Sequence, residues 1–187
     1  MGFWTAQNQL HAMQVLMRGA GLSAMGAAGL VSRWVNVEAA AGPTAVNPSS
    51  GAFGIAQWLG SRKRGIYPNA NFDAQLNFAV AELNSTESRA ANVLRGAISP
   101  DDAARGASTY ERAEGYNQST GRDNWTARTA SGTPSVYALL GGGSSGNQTI
   151  AAAIDNNYQD SPIATPQVTT GVAIAIAGGL LLWLSLR

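Results

Sequence analysis

Apolar residues near the start of the chain recur at helical spacing. Leu10, Met13, Val15, Leu16 and Met17 fall mostly three and four apart, with Thr5 or Asn8 placed to cap the run and Gly19 and Gly21 to interrupt it. Ser23 opens a second helix in which Met25, Ala28, Gly29, Val31, Ser32 and Val35 lead up to Glu38; its many small residues permit close helix packing. Gly42 and Pro43 end that run, since glycine suits the left-handed cap and proline cannot continue the ladder. A turn cluster follows at Asn47-Pro48-Ser49-Ser50-Gly51, then a weakly strand-like stretch from Ala52 to Ala56 and a basic turn, Arg62-Lys63-Arg64.

Phe72 and Asp73 begin a further helix, with Leu76, Ala79, Val80 and Leu83 on one face and Glu82, Glu87 and Arg89 expected in solvent. Another short helix is expected over 88–94. Ser99-Pro100-Asp101-Asp102 is a strong helix start: a serine cap, proline in the first turn, and acids that complement the helix dipole. Asn124 to Arg128 looks like a closing helix. From Ser131 the glycine and serine content is that of a flexible connector. Residues 168–187 are almost wholly apolar until Arg187 and approach the ~20 needed to cross a bilayer core. The expected organisation is a helical domain over 1–130, a linker over 131–167 and a transmembrane or hydrophobic anchor helix over 168–187.

Composition narrows the chemistry. Only 12% of the 187 residues are charged and the net charge is +1, so no global field favours nucleic acid, and none is expected as a partner. With no cysteine, disulfides, thiolate metal sites and a cysteine nucleophile are excluded. The single histidine, His11, has no second imidazole to share a metal and reads as structural; neither metal nor cofactor is expected. The first residues lack the basic and apolar regions of a secretory signal.

Glu38 stands out. It closes an apolar helical run beside Trp34, Val35 and Val37, where loss of hydration raises a carboxyl's pKa and keeps it protonated near neutrality, as a general acid requires. Glu38, the following AVNPSSGAFGIAQW and the later Thr109-Tyr110-Glu111-Arg112-Ala113 resemble the phage tail lysozymes and, more distantly, the goose-type lysozymes and lytic transglycosylases. Two positions depart from that pattern: Ala39 stands where a serine is usual, and Ala113 where a proline is usual.

The resemblance, over roughly Gln7 to Arg128, implies a mainly α, lysozyme-like domain with a small β-hairpin or loop at a saccharide cleft. It implies cleavage of the MurNAc-GlcNAc bond of peptidoglycan glycan strands with Glu38 as the catalytic acid. Gln57, Trp58, Phe53, Ser50, Tyr110 and Glu111 are the expected substrate-binding residues. The nearest carboxylate after Glu38 in sequence is Asp73, which favours single-glutamate chemistry of the transglycosylase kind, with Asp73 or Glu111 left open as a folded-in partner. The expected setting is a virion associated with a viral or host membrane through residues 168–187, with other virion proteins as further partners, opening the wall locally for genome delivery. The alternative is a non-catalytic virion or membrane protein that keeps the domain as a glycan-binding module.

Overall fold

The computed structural model describes residues 2–38 and 42–141. Seven helices run through these residues: α1 Ala6–Ala20, α2 Ala24–Asn36, α3 Gly60–Ile66, α4 Phe72–Leu83, α5 Ser88–Arg95, α6 Pro100–Glu111 and α7 Thr126–Ala138. The expected caps form. Thr5 Oγ1 accepts from Asn8 N, Ser23 Oγ from Gly26 N, and Ser99 Oγ from Asp102 N. Gly21 closes α1 at φ 65°, a left-handed conformation that costs glycine little.

α2 is the central element. It packs on α7, α6 and α1, and every residue from Gly26 to Trp34 is buried. Glycines allow that closeness: a Cβ on Gly26 would lie 2.0 Å from the Leu94 carbonyl oxygen, and one on Gly29 would lie 2.4 Å from Ala103 Cβ. Ser23 adds a polar clasp by bonding to the carbonyls of Leu94 and Ala97, the two ends of the turn after α5. One apolar cluster, including Met13, Leu16, Leu30, Val31, Trp34, Leu76, Leu83 and Leu94, fills the space between α1, α2, α4, α5 and α6.

The structure departs from the sequence expectations in four places. The weakly strand-like stretch at 52–56 makes only isolated antiparallel bridges, Val46 with Phe53 and Phe53 with Trp58, so the expected hairpin or loop is a loop and no strand forms among the described residues. Gly54, at φ 76°, turns the chain between Phe53 and Trp58. The basic turn Arg62-Lys63-Arg64 lies within helix α3. Glu82 and Glu87, expected in solvent, are buried, because arginines distant in sequence reach them: Arg62 bonds Glu82, and Arg112 bonds Glu87 through both terminal nitrogens at 2.7 Å.

The fourth departure concerns the domain end, since α7 runs through the expected boundary at 130 and through Pro134 to Ala138. Proline inside a helix forfeits one backbone bond. Here packing outweighs that loss: Thr129, Thr133 and Val136 are buried, and Gly132 lets α7 approach α2 so closely that a Cβ there would lie 2.3 Å from Asn36 Nδ2.

The later part of the expected linker and the expected anchor at 168–187 lie outside the described residues. Among the described residues, no helix is long and apolar enough to cross a membrane.

A chain ended after residue 130 removes the half of α7 that carries Thr133 and Val136, and should melt well below a chain ended after 141. Thermal unfolding followed by circular dichroism measures the difference, and equal melting temperatures would return the boundary to 130.

Candidate active site

Glu38 lies just past the C-cap of α2, where its own amide and that of Val37 both bond back to the Arg33 carbonyl. The turn leaves its side chain 17% exposed, enough to meet a ligand while losing most of its water. Beneath it is Arg33, whose side chain is fully buried. Arg33 Nε lies 3.4 Å from Glu38 Oε1, while Nη1 donates to Asp123 Oδ1 at 3.0 Å and Nη2 lies 3.0 Å from Asp123 Oδ2. Asp123 is held in turn by Ser108 Oγ at 3.1 Å and by the Trp125 amide at 2.9 Å.

These charges set the proton affinities. Burial raises the pKa of Glu38; the charge and hydrogen bond of Arg33 oppose the rise, and the charge of Asp123 adds to it. Burial also works against the Asp123 carboxylate, but Arg33 and the hydrogen bonds outweigh it and hold Asp123 below the usual range.

Glu111, at the end of α6, joins the site from the other side. Its Oε1 accepts a 2.7 Å hydrogen bond from Trp34 Nε1. Burial and then the negative charge of Glu38 push its pKa up to about 8, against the pull of Arg62, Arg33 and the Trp34 bond. Two carboxyl groups 73 positions apart in sequence thus share one electrostatic environment, and near neutral pH Glu111 holds its proton.

The other expected residues divide. Ser50 is exposed in its turn, and its Oγ accepts from Ala52 N. Gln57 is half-buried at φ 47°, and its carboxamide donates to Gly54 O at 2.9 Å. Phe53, Trp58 and Tyr110, expected to face a sugar, are 3%, 1% and 0% exposed and present no open ring face. Phe53 meets Tyr67 edge-on at 5.1 Å. Trp58 Nε1 and Tyr110 Oη both donate to Glu82 Oε2, at 3.0 and 2.6 Å. Asp73, the other open partner, is 64% exposed and pairs with His11.

Sequence reading missed Arg33, Asp123, Glu82 and Gln75. Arg33 carried a signal, because a charge inside a helix that is apolar nearly all round has to be paired in the interior. Gln75 carried none. It reaches across 20 residues to accept from the Ile55 amide and donates to the Pro43 and Asn69 carbonyls, so that it ties the loop to α4; Gly54 makes room, since a Cβ there would lie 2.6 Å from Gln75 Oε1.

A helical domain that carries a half-buried glutamate at a helix end, followed in sequence by a Gly-x-x-Gln loop that Gln75 ties to α4, has the organisation expected of a lysozyme-like protein. The family model for phage tail lysozyme matches residues 7–132, well over half of the chain, and the chain belongs to that family. No curated protein and no solved structure matches it.

Glu111 gives a test by pH. Its folded-state pKa lies above the usual 4.5, so the folded chain binds a proton that the unfolded chain has released. The resulting stabilisation is fully present below about 4.5 and is lost as pH rises towards about 8. The melting temperature should therefore fall between pH 5 and pH 8, and Glu111→Gln should flatten much of that fall. An equal fall in the variant would place Glu111 in water.

Proposed function

We propose that the domain is a glycosidase of the lysozyme and lytic transglycosylase type, which cuts the MurNAc-GlcNAc bond of peptidoglycan with Glu38 as acid and then base. The observation that carries this reading is the state of Glu38: reachable from solvent, raised in pKa by burial, and backed by a buried guanidinium ready to receive its charge. Protonated Glu38 gives its proton to the bridging oxygen as the bond from the sugar's anomeric carbon to that oxygen breaks. The leaving sugar departs as an alcohol, and positive charge develops at the anomeric carbon. Glu38, now a carboxylate, takes the proton from the same muramic residue's 6-hydroxyl as that oxygen bonds to the anomeric carbon. The acid is restored and the product ends in a 1,6-anhydro ring.

The neighbouring carboxyls favour this single-glutamate route over a two-carboxylate one. A retaining or inverting pair needs its second member ionised, as nucleophile or base. Glu111 is protonated near neutrality, Asp123 is buried on Arg33, and Asp73 is engaged by His11. Gln57, whose amide donates one hydrogen to Gly54 O, would exchange hydrogen bonds with an N-acetyl group through its remaining amide hydrogen and its carbonyl oxygen. In the wider setting, the protein serves a virion in local wall opening for genome delivery, and residues 168–187 act as its hydrophobic anchor.

Glu38→Gln keeps size and polarity but cannot transfer the proton, a step worth ~10²–10⁴-fold. The variant should nearly silence lysis of purified cell walls while melting as the parent does. Near-normal lysis would remove Glu38 from the chemistry and leave a glycan-binding module as the better reading. Mass spectrometry of the released fragments decides the route, since reducing ends would show that water, not the 6-hydroxyl, attacks.

The anchor has its own test: the full chain should stay with membranes in an alkaline carbonate wash, and a chain lacking 168–187 should not. Release of the full chain would rule the anchor out.

A further inference from the structure

Arg33 is a costly residue to place where it is. A fully buried guanidinium loses its hydration, and such a group persists only when its partners compensate that loss. Helix geometry alone does not call for it, because its neighbours on α2 from Gly26 to Trp34 are small or apolar apart from Ser32. Its partners come from distant parts of the chain: Asp123 lies 90 residues away and is itself fixed by Ser108 of α6 and by the amide that begins α7. The whole assembly ends at the carboxyl of Glu38.

We propose that Arg33 and Asp123 are positioning residues for the reaction, with Asp123 accepting a hydrogen bond from Nη1 and lying in ion-pair contact with Nη2, so that the guanidinium's Nε edge is what meets the Glu38 carboxyl. The inference rests on the reading of Glu38 as the acid. Two effects follow from the geometry. The Nε contact orients one carboxyl oxygen, which leaves the other to hold or give up the proton. Asp123 also tempers the cation: an unpaired guanidinium 3.4 Å from Glu38 would hold the glutamate as a carboxylate, unable to donate, whereas one shared with Asp123 still steadies the charge that appears after donation.

The titratable groups around Glu38 come from separate elements. Arg33 is on α2, Asp123 is in the turn before α7, Glu111 is on α6, and Arg62 of α3 acts on Glu111. Among these, Arg33 pulls the Glu38 pKa down more strongly than Asp123 pushes it up. Removing Asp123 alone and removing both residues should therefore move Glu38 in opposite directions, a signature that a purely structural ion pair lacks.

The experiment titrates the Glu38 carboxyl by carbon NMR in the full chain, its signal assigned by its loss in Glu38→Gln. Asp123→Asn, which keeps the shape but frees the cation, should lower the midpoint by on the order of one pH unit. The alkaline limb of the lysis profile should move down with it, for a loss of roughly tenfold on that limb. The double variant Arg33→Met with Asp123→Leu fills the same space with apolar groups, a replacement that buried ion pairs generally tolerate. Its Glu38 midpoint should rise instead.

Midpoints unmoved in both variants would overturn the proposal. If Asp123→Asn does not fold, the double variant decides alone: a rise supports the assignment and no rise refutes it. The titration needs no turnover, so a failure of the glycosidase reading, seen as normal lysis by Glu38→Gln, is distinguishable from a failure of this one.

Discussion

One buried carboxylate holds the domain's separate parts in register. Glu82, on α4, accepts Arg62 Nε at 2.7 Å and Nη2 at 2.9 Å, Trp58 Nε1 at 3.0 Å and Tyr110 Oη at 2.6 Å. Those donors come from α3, from the loop before it and from α6, so this carboxyl fixes three elements that share little sequence proximity. Arg62 completes the circuit by donating to the Tyr110 carbonyl and lying 4.5 Å over that ring. Removing one partner of such a buried set typically costs ~3–5 kcal/mol, because the rest are left uncompensated away from water. That is a large fraction of the stability of an ordinary domain.

The consequence for the site is rigidity at one remove. Tyr110 precedes Glu111, so the Glu82 cluster sets where α6 ends and hence where Glu111 meets Trp34. Trp34 precedes Val35 on α2, four residues before Glu38. The aromatic packing of Trp34 on Trp4 and Tyr110, with ring centroids 6.2 and 6.5 Å apart, locks the other side of the same junction. The catalytic candidate is itself on a turn, but both elements that define its surroundings are clamped by buried hydrogen bonds.

How much of this was legible depended on whether the determining partner lay nearby in sequence. Ser23, Ser99-Pro100 and Gly21 act within one helical turn, so the starts of α2 and α6 and the end of α1 could be read directly. Glu38, at the end of an apolar run and beside a loop of distinctive composition, was also visible. Glu82 was not, since its burial depends on Arg62 and Tyr110, 20 and 28 residues away. Phe53 and Trp58 showed aromatic character but not which way they face, and the bridges of Phe53 to Val46 and Trp58 turn them inward. Pro134 and Gly132 were read as linker because local propensity disfavours helix there, whereas close approach to α2 requires a residue as small as Gly132.

On the proposed reading, the opposed influences on Glu38 suit a single glutamate that serves in two protonation states. Burial alone keeps a carboxyl protonated and makes it a poor base; a cation alone keeps it ionised and makes it a poor acid. A residue that gives a proton in one step and takes one in the next works best with a pKa near the operating pH. Here burial raises Glu38 while Arg33 lowers it, Asp123 moderates Arg33, and Glu111, holding its own proton, adds no full negative charge near neutrality. If Glu111 ionised as readily as an exposed carboxyl, its charge would press Glu38 further towards the protonated state and weaken it as a base. Burial is the largest influence keeping Glu111 neutral, against the pull of Arg62, Arg33 and the Trp34 hydrogen bond, and Glu38 adds to it whenever it is a carboxylate. On the reading of Glu38 as acid and then base, Glu111 stays neutral while Glu38 changes its protonation state.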